Sequence, residues 1–256
     1  MCMNIEYIYK DKFYLFKIKD FLNIEEYDQL KLNFPKLNIK EIETKKLIRN
    51  NFKYHINHGT DSYNEIILSN KVLANFHNKI FHKDFKISIF KKLYKNILKS
   101  RYEDKNIFFK LLLRFKRFDH NKNKKFYEKV FFSDIKTQIE YSWMFNKSKI
   151  APHTDSRLKL LSLMLYFPDD NLDENNKKIL GTTFYDGKQK SNLSNHLNDE
   201  EELDFKKKNR KILTLPFKEK NLYGFIKNNS TWHTVEPINI NDNFVRKSIN
   251  INFLIT

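Results

Sequence analysis

Pro152-His153-Thr154-Asp155-Ser156-Arg157, running into Leu158-Lys159-Leu160-Leu161-Ser162-Leu163-Met164-Leu165-Tyr166-Phe167, is the stretch on which the reading of this chain turns. The second part reads as an apolar strand, and its Leu160–Phe167 is the longest nearly apolar run of the chain. His153 falls where a strand meets a turn. In an extended segment, residues two apart project to the same side, so His153 and Asp155 can reach one metal ion together. A His-x-Asp triplet alone says little. A second one, His82-Lys83-Asp84, lies in a lysine-rich helical region and reads as solvated surface.

A metal held by His153 and Asp155 needs a further ligand from a distant strand. His233, in Thr231-Trp232-His233-Thr234-Val235, is the best placed, and its neighbours are apolar and aromatic. Taken singly it reads more readily as a core or interfacial histidine bonded to a carbonyl. Two imidazoles and one carboxylate on one face of Fe(II) leave positions open for a co-substrate and O2. Arg246-Lys247-Ser248 follows, with Arg246 and Ser248 turned the same way in a strand. A guanidinium and a hydroxyl aimed at one spot make a carboxylate receptor.

Around these elements the second half reads as short β runs. They are Ile135–Phe145, Leu158–Phe167, Thr182–Tyr185, Ile212–Pro216, Leu222–Ile226, Thr231–Ile238 and Val245–Ile255. Such spacing points to an antiparallel sandwich or barrel. Gly187–Lys211 is charged and reads as a loop or a short helix outside the sheets. The first half predicts strand over Tyr7–Phe21, a helix from Asn23 to about Asn33 with Glu25 and Glu26 in its first turn, and a helical stretch over Asn70–Lys99. Asn106–Phe118 reads as either helix or strand. The fold class is therefore α+β with a mainly β core, a single domain over 1–256: a supporting region over 1–134 and the β core over 135–256.

The 256 residues are 40% hydrophobic and 15% aromatic, enough for a packed core. Only four glycines are present, so Asn and Asp must build many turns. The formal charge of +17 is spread end to end and is mostly lysine. It fits either compositional bias towards AT-rich codons or an anionic partner. Cys2 is the one cysteine, which excludes an internal disulfide and fits a reducing compartment. With no signal sequence and no span-length apolar run, the expectation is a soluble, cytoplasmic protein.

The order of these elements resembles the Fe(II)/2-oxoglutarate-dependent oxygenase superfamily, in its prolyl-hydroxylase-like branch. Pro152-His153-Thr154-Asp155, Trp232-His233-Thr234-Val235 and Arg246-Lys247-Ser248 match its HxD, distal-histidine and RxS elements. Leu163-Met164-Leu165-Tyr166-Phe167 resembles the strand after the HxD, and Gly181-Thr182-Thr183-Phe184 the strand between the ligands. The stretch Phe16 to Tyr27 is similar to the strand and helix that open many such enzymes. The resemblance implies a double-stranded β-helix (jelly-roll, cupin-like) with N-terminal supporting helices. It implies Fe(II) on His153, Asp155 and His233, and 2-oxoglutarate and O2 as co-substrates. The distal carboxylate of oxoglutarate would meet Arg246, Ser248 and Tyr166, the last of which reads equally as a core aromatic.

The implied reaction is hydroxylation of an unactivated C–H with release of succinate and CO2. A carboxylate at 155, where related halogenases carry a small residue, favours simple oxidation. Repair enzymes of nucleic acid carry a second arginine six positions after the first, where this chain has Asn252, so nucleic acid is not the expected partner. Arg157 and Lys159 read as a solvated strand edge or as contacts to an acidic substrate. Protein side chains, amino acids, sugars and lipids stay open as substrates, as does oligomeric state. The alternatives are a cupin-like metalloprotein that does not use 2-oxoglutarate, and a basic polyanion-binding module with a lapsed metal site.

Overall fold

The computed structural model describes residues 3–37, 53–101, 135–156, 158–187 and 197–255. In chain order the elements among them open with β1 (Asn4–Tyr9), β2 (Tyr14–Lys19), α1 (Ile24–Leu32), β3 (Lys53–Asn57), α2 (Asp61–Ser69), α3 (Lys71–Phe81) and α4 (Lys83–Arg101). There follow β4 (Ile135–Phe145), β5 (Ile150–His153), β6 (Lys159–Phe167), α5 (Glu174–Ile179) and β7 (Thr183–Asp186). The last are α6 (Asp199–Lys208), β8 (Lys211–Thr214), β9 (Leu222–Ile226), β10 (Thr231–Val235) and β11 (Val245–Ile255).

The strands form two antiparallel sheets, a large one in the order β1-β2-β9-β6-β11-β4-β3 and a small one in the order β5-β10-β7-β8. From β4 onward the chain crosses between sheets at every connection except that between β7 and β8. This winding is that of a double-stranded β-helix, so the expected mainly β architecture is borne out. Strand alternation divides the interior in two. The odd-numbered residues of β4 and β11, among them Ile139, Tyr141, Ile249 and Phe253, pack with Leu161, Leu163 and Leu165 of β6 against the helices. The even-numbered Met144, Met164 and Tyr166 face the small sheet and meet Phe184 and Val235 there. Each fully buried side chain of this size contributes about 1.5–3 kcal/mol.

The N-terminal strands are part of the large sheet, with β1 and β2 extending it beyond β9 and β3 beyond β4. Helix α1 begins where expected, at a capping box in which Asn23 and Glu26 each bond the other's backbone N–H. Its Tyr27 stacks on Phe167 and donates to the Tyr166 carbonyl. Asn or Asp caps α3, α5 and α6 as well, through Asn70, Asp173 and Asn198.

The expected helix over Asn70–Lys99 is in fact two. His82 takes an extended backbone (φ −60°, ψ 135°) and separates α3 from α4. Strand β10 ends at Val235 rather than Ile238, and residues 188–196 of the expected loop lie outside the described residues, whereas α6 and the start of β8 fill the remainder. Strand β3 and helix α2 were not expected, and the strand expected to end at His153 is β5. Asn106–Phe118 and Arg157 lie outside the described residues. No described helix is long and apolar enough to cross a membrane.

Candidate metal centre and oxoglutarate clamp

Strands β5 and β10 are antiparallel neighbours, and His153 sits directly across from His233. Their ring centroids are 4.2 Å apart. The Nδ1 of His153 lies 2.9 Å from the Ala151 carbonyl, and that of His233 lies 3.1 Å from the Thr231 carbonyl. A carbonyl only accepts, so both Nδ1 atoms carry a hydrogen, and in the neutral ring Nε2 is the nitrogen left to hold a metal. Asp155 follows in the turn after β5. One ligand atom from each of the three residues falls within 4.8 Å of the others, a spacing one metal ion would fit.

The Asp155 carboxylate is nearly buried, and its two oxygens are used differently. Oδ1 accepts from Lys159 Nζ at 2.7 Å. Oδ2 is buried without a hydrogen-bond partner, 3.9 Å from His233 Nε2. Burial pushes the carboxyl's pKa up, but Lys159, His233 and His153 more than offset this and hold it well below the usual carboxylate range. A buried anionic oxygen with no donor, facing two imidazoles, is a costly arrangement for a protein alone and a fitting one for a divalent cation. The reading of Lys159 as a solvated strand edge is corrected here: its side chain is 18% exposed and its ammonium is engaged by Asp155. His82, by contrast, is exposed as expected, and the Asp84 beside it is exposed too.

The three residues stand at a cavity of about 650 Å³ between the sheets. Phe184 and Phe225 pack on the His233 ring. On β11 the inward positions recur every second residue as Arg246, Ser248, Asn250 and Asn252, and all four line the cavity. Arg246 is buried. Its Nε donates to the Leu180 carbonyl at 2.6 Å, and its guanidinium lies 5.0 Å from the Tyr166 ring centre and 5.2 Å from that of Phe217. Burial lowers its pKa from the ordinary arginine value, and Tyr166 works against that shift. It has no carboxylate partner among the described residues.

Ser248 lies across from both Ser142 and Tyr166, and Ser142 Oγ is buried without a partner. Tyr166 stands behind the cavity wall and shares a hydrogen bond of 2.8 Å with Thr182, which does line the cavity. Sequence reasoning missed Lys159 as the partner of Asp155, Thr182 as the partner of Tyr166, and Ser142 across from Ser248. The recurring polar residues on β11 were the available signal.

No protein-family model and no curated protein matches the chain. Solved structures similar to it are 2-oxoglutarate/Fe(II) oxygenases. A prolyl-4-hydroxylase from Pseudomonas putida is 10% identical, with 94% of this chain and 92% of that one covered and a TM-score of 0.46. The non-heme alpha ketoglutarate dependent epimerase SnoN from nogalamycin biosynthesis is 12% identical (96% and 79% covered, TM-score 0.41). HygX from Streptomyces hygroscopicus, with nickel and 2-oxoglutarate bound, is 8% identical (94% and 83% covered, TM-score 0.41). The assignment of the fold rests on the strand order itself.

Proposed function

We propose that this protein is a non-haem dioxygenase that uses Fe(II), 2-oxoglutarate and O2 to hydroxylate an unactivated C–H, releasing succinate and CO2. The observation that carries the reading is the unpartnered Asp155 Oδ2, facing His233 at the cavity that Arg246 also lines. Two neutral imidazoles and one carboxylate suit Fe(II) and leave it open positions. The bound iron and oxoglutarate would supply the oxidising chemistry.

The chain's own residues would bind, orient and exclude water. The carbonyls of Ala151 and Thr231 fix the two imidazole rings, and Lys159 holds Asp155 by one oxygen so that the other is presented. Arg246 supplies the uncompensated positive charge for the distal carboxylate of oxoglutarate, with Ser248 beside it as a hydroxyl donor. Tyr166 acts through Thr182 and through the face of the guanidinium rather than on the ligand. Phe184 and Phe225 keep the His233 side dry. A cupin-like metalloprotein without oxoglutarate would have no use for a buried, carboxylate-free arginine in the same cavity.

The test is anaerobic titration of the metal-free protein with Fe(II), then 2-oxoglutarate, watched for the weak visible metal-to-ligand charge-transfer band. A band that is lost in Arg246→Ala supports the reading. Iron binding with no band on adding oxoglutarate leaves the cupin-like alternative, and no iron binding removes the oxygenase.

A further inference from the structure

The cavity wall holds more polar groups than the metal and the clamp use, and their charges cancel in pairs. Three lysines line it. Lys53 is ion-paired with Glu140, Lys159 with Asp155, and Lys149 with both Asp199 and Glu202. Both carboxylates that line it, Glu140 and Asp155, are thus held by a lysine. Among the described residues, every lysine and carboxylate of the wall is already paired once Arg246 is taken, and His55 lies beside Glu140.

The hydrogen-bonding capacity is not spent in the same way. Lys53 Nζ and Asn250 Nδ2 both donate to Glu140 Oε1, the amide at 2.6 Å, and among the described residues Oε2 receives no donor. A carboxylate only accepts, so Asn250 must turn its NH2 towards Glu140, which leaves its carbonyl oxygen as an acceptor. On the next inward position of β11, Asn252 Oδ1 accepts from Ser162 at 2.8 Å, which leaves its NH2 as a donor. The wall therefore offers acceptor, acceptor and donor along two adjacent strands. An apolar or prolyl ligand would strip water from these groups and give nothing back. A hydroxyl both donates and accepts, which is what such a mixed wall selects. The cavity's volume falls within the range of small-molecule sites, with room for a second molecule beside oxoglutarate.

We infer that the cavity binds a neutral polyhydroxylated small molecule, of the sugar or cyclitol type, with Glu140, Asn250 and Asn252 as the residues that determine specificity. The inference rests on the proposed oxygenase reading in reserving Arg246 for oxoglutarate.

The experiment is saturation-transfer NMR on the full chain, with and without Fe(II) and 2-oxoglutarate under anaerobic conditions. The probes are methyl α-glucoside and myo-inositol (neutral), glucose 6-phosphate (anionic), glucosamine (cationic) and N-acetylproline amide. The neutral polyols should bind the wild type more tightly than the other three probes, and at least tenfold more weakly in Glu140→Leu and in Asn250→Leu. Glu140→Gln releases Lys53 from its partner and should shift preference towards glucose 6-phosphate. Retention of the charge-transfer band in each variant shows that it is folded and loaded. Tighter binding of the phosphate, amine or proline probe by the wild type overturns the inference, as does failure of both polyols to bind or indifference to the substitutions. Polyol binding without any charge-transfer band would leave this site standing and remove the oxygenase reading alone.

Discussion

His153 and His233 are direct partners across the β5–β10 pair, and each points its Nδ1 at the carbonyl two residues before it. The two strands thus present two imidazoles in the same tautomer through the same local device. The ring positions are set by backbone that exists before any metal arrives, so removing a ligand should cost binding and not the fold.

His153→Ala, His233→Ala and Asp155→Asn should each abolish Fe(II) binding while leaving the far-UV circular dichroism unchanged. In the wild type, Fe(II) at about a hundred times its dissociation constant should add about 2.7 kcal/mol of stability. Thermal unfolding with and without Fe(II) reads this directly. An Fe(II)-dependent rise in melting temperature that survives in any one variant removes that residue from the ligand set.

Arg246→Met keeps much of the side-chain volume against Tyr166 and Phe217 and deletes the charge. Removing one partner of a buried charge pair costs about 2–5 kcal/mol. Oxoglutarate affinity should therefore fall at least thirtyfold, with Fe(II) affinity unchanged. Equal oxoglutarate titrations in the two proteins would exclude Arg246 from the clamp.

Gly181 separates Leu180, whose carbonyl accepts from Arg246, from Thr182, which bonds Tyr166. A Cβ at 181 would lie 1.6 Å from the backbone oxygen of Leu215. Gly181→Ala should cost about 1–3 kcal/mol of stability by overpacking. Because the displaced backbone carries both of those contacts, oxoglutarate binding should weaken in the same variant. Loss of stability with normal oxoglutarate affinity would uncouple the glycine from the clamp.

Glu140 carries a pH dependence of definite sign. Burial raises its pKa, but Lys53, Asn250 and His55 together bring it below the ordinary 4.5. A carboxyl with a depressed folded pKa contributes stability above its unfolded value and loses it as pH falls through the folded one. Glu140→Gln should be less stable than the wild type at pH 7, by about 2 kcal/mol. The difference should shrink below about pH 4.5, the unfolded value. Urea unfolding at pH 7 and pH 3 checks this, and a difference that does not change with pH contradicts it.

The strands that carry alternation or a long apolar run, β4, β6 and β11, were legible because their period sets which face is buried. Of strand β5 only the end at His153 was. Its Ile150-Ala151-Pro152-His153 is too short to alternate, and it is a strand because β10 pairs with it. Strand β3 has a single buried residue, Ile56, and owes its conformation to pairing with β4. The break at His82 leaves the helical periodicity intact on both sides and involves neither proline nor glycine, so no local signal marks it. At the site, residue type and order brought out His153, Asp155, His233 and Arg246. The pairing of Lys159 with Asp155 spans a turn and a strand start, where no helical or strand period relates the two side chains.

The winding of the sheets also bears on how the molecule reaches its folded state. Thr234 reaches Ile150 across 84 residues of chain, and Asn250 reaches Glu140 across 110. Contacts so distant in sequence make for slow folding, since the intervening chain must be ordered before they form. The candidate ligands sit on β5, the turn after it and β10, which meet only once the small sheet has closed. A pulse of Fe(II) added at intervals during refolding should therefore be captured late, together with the last gain in tertiary structure, so the ion would serve as a clock for closure of the double-stranded β-helix.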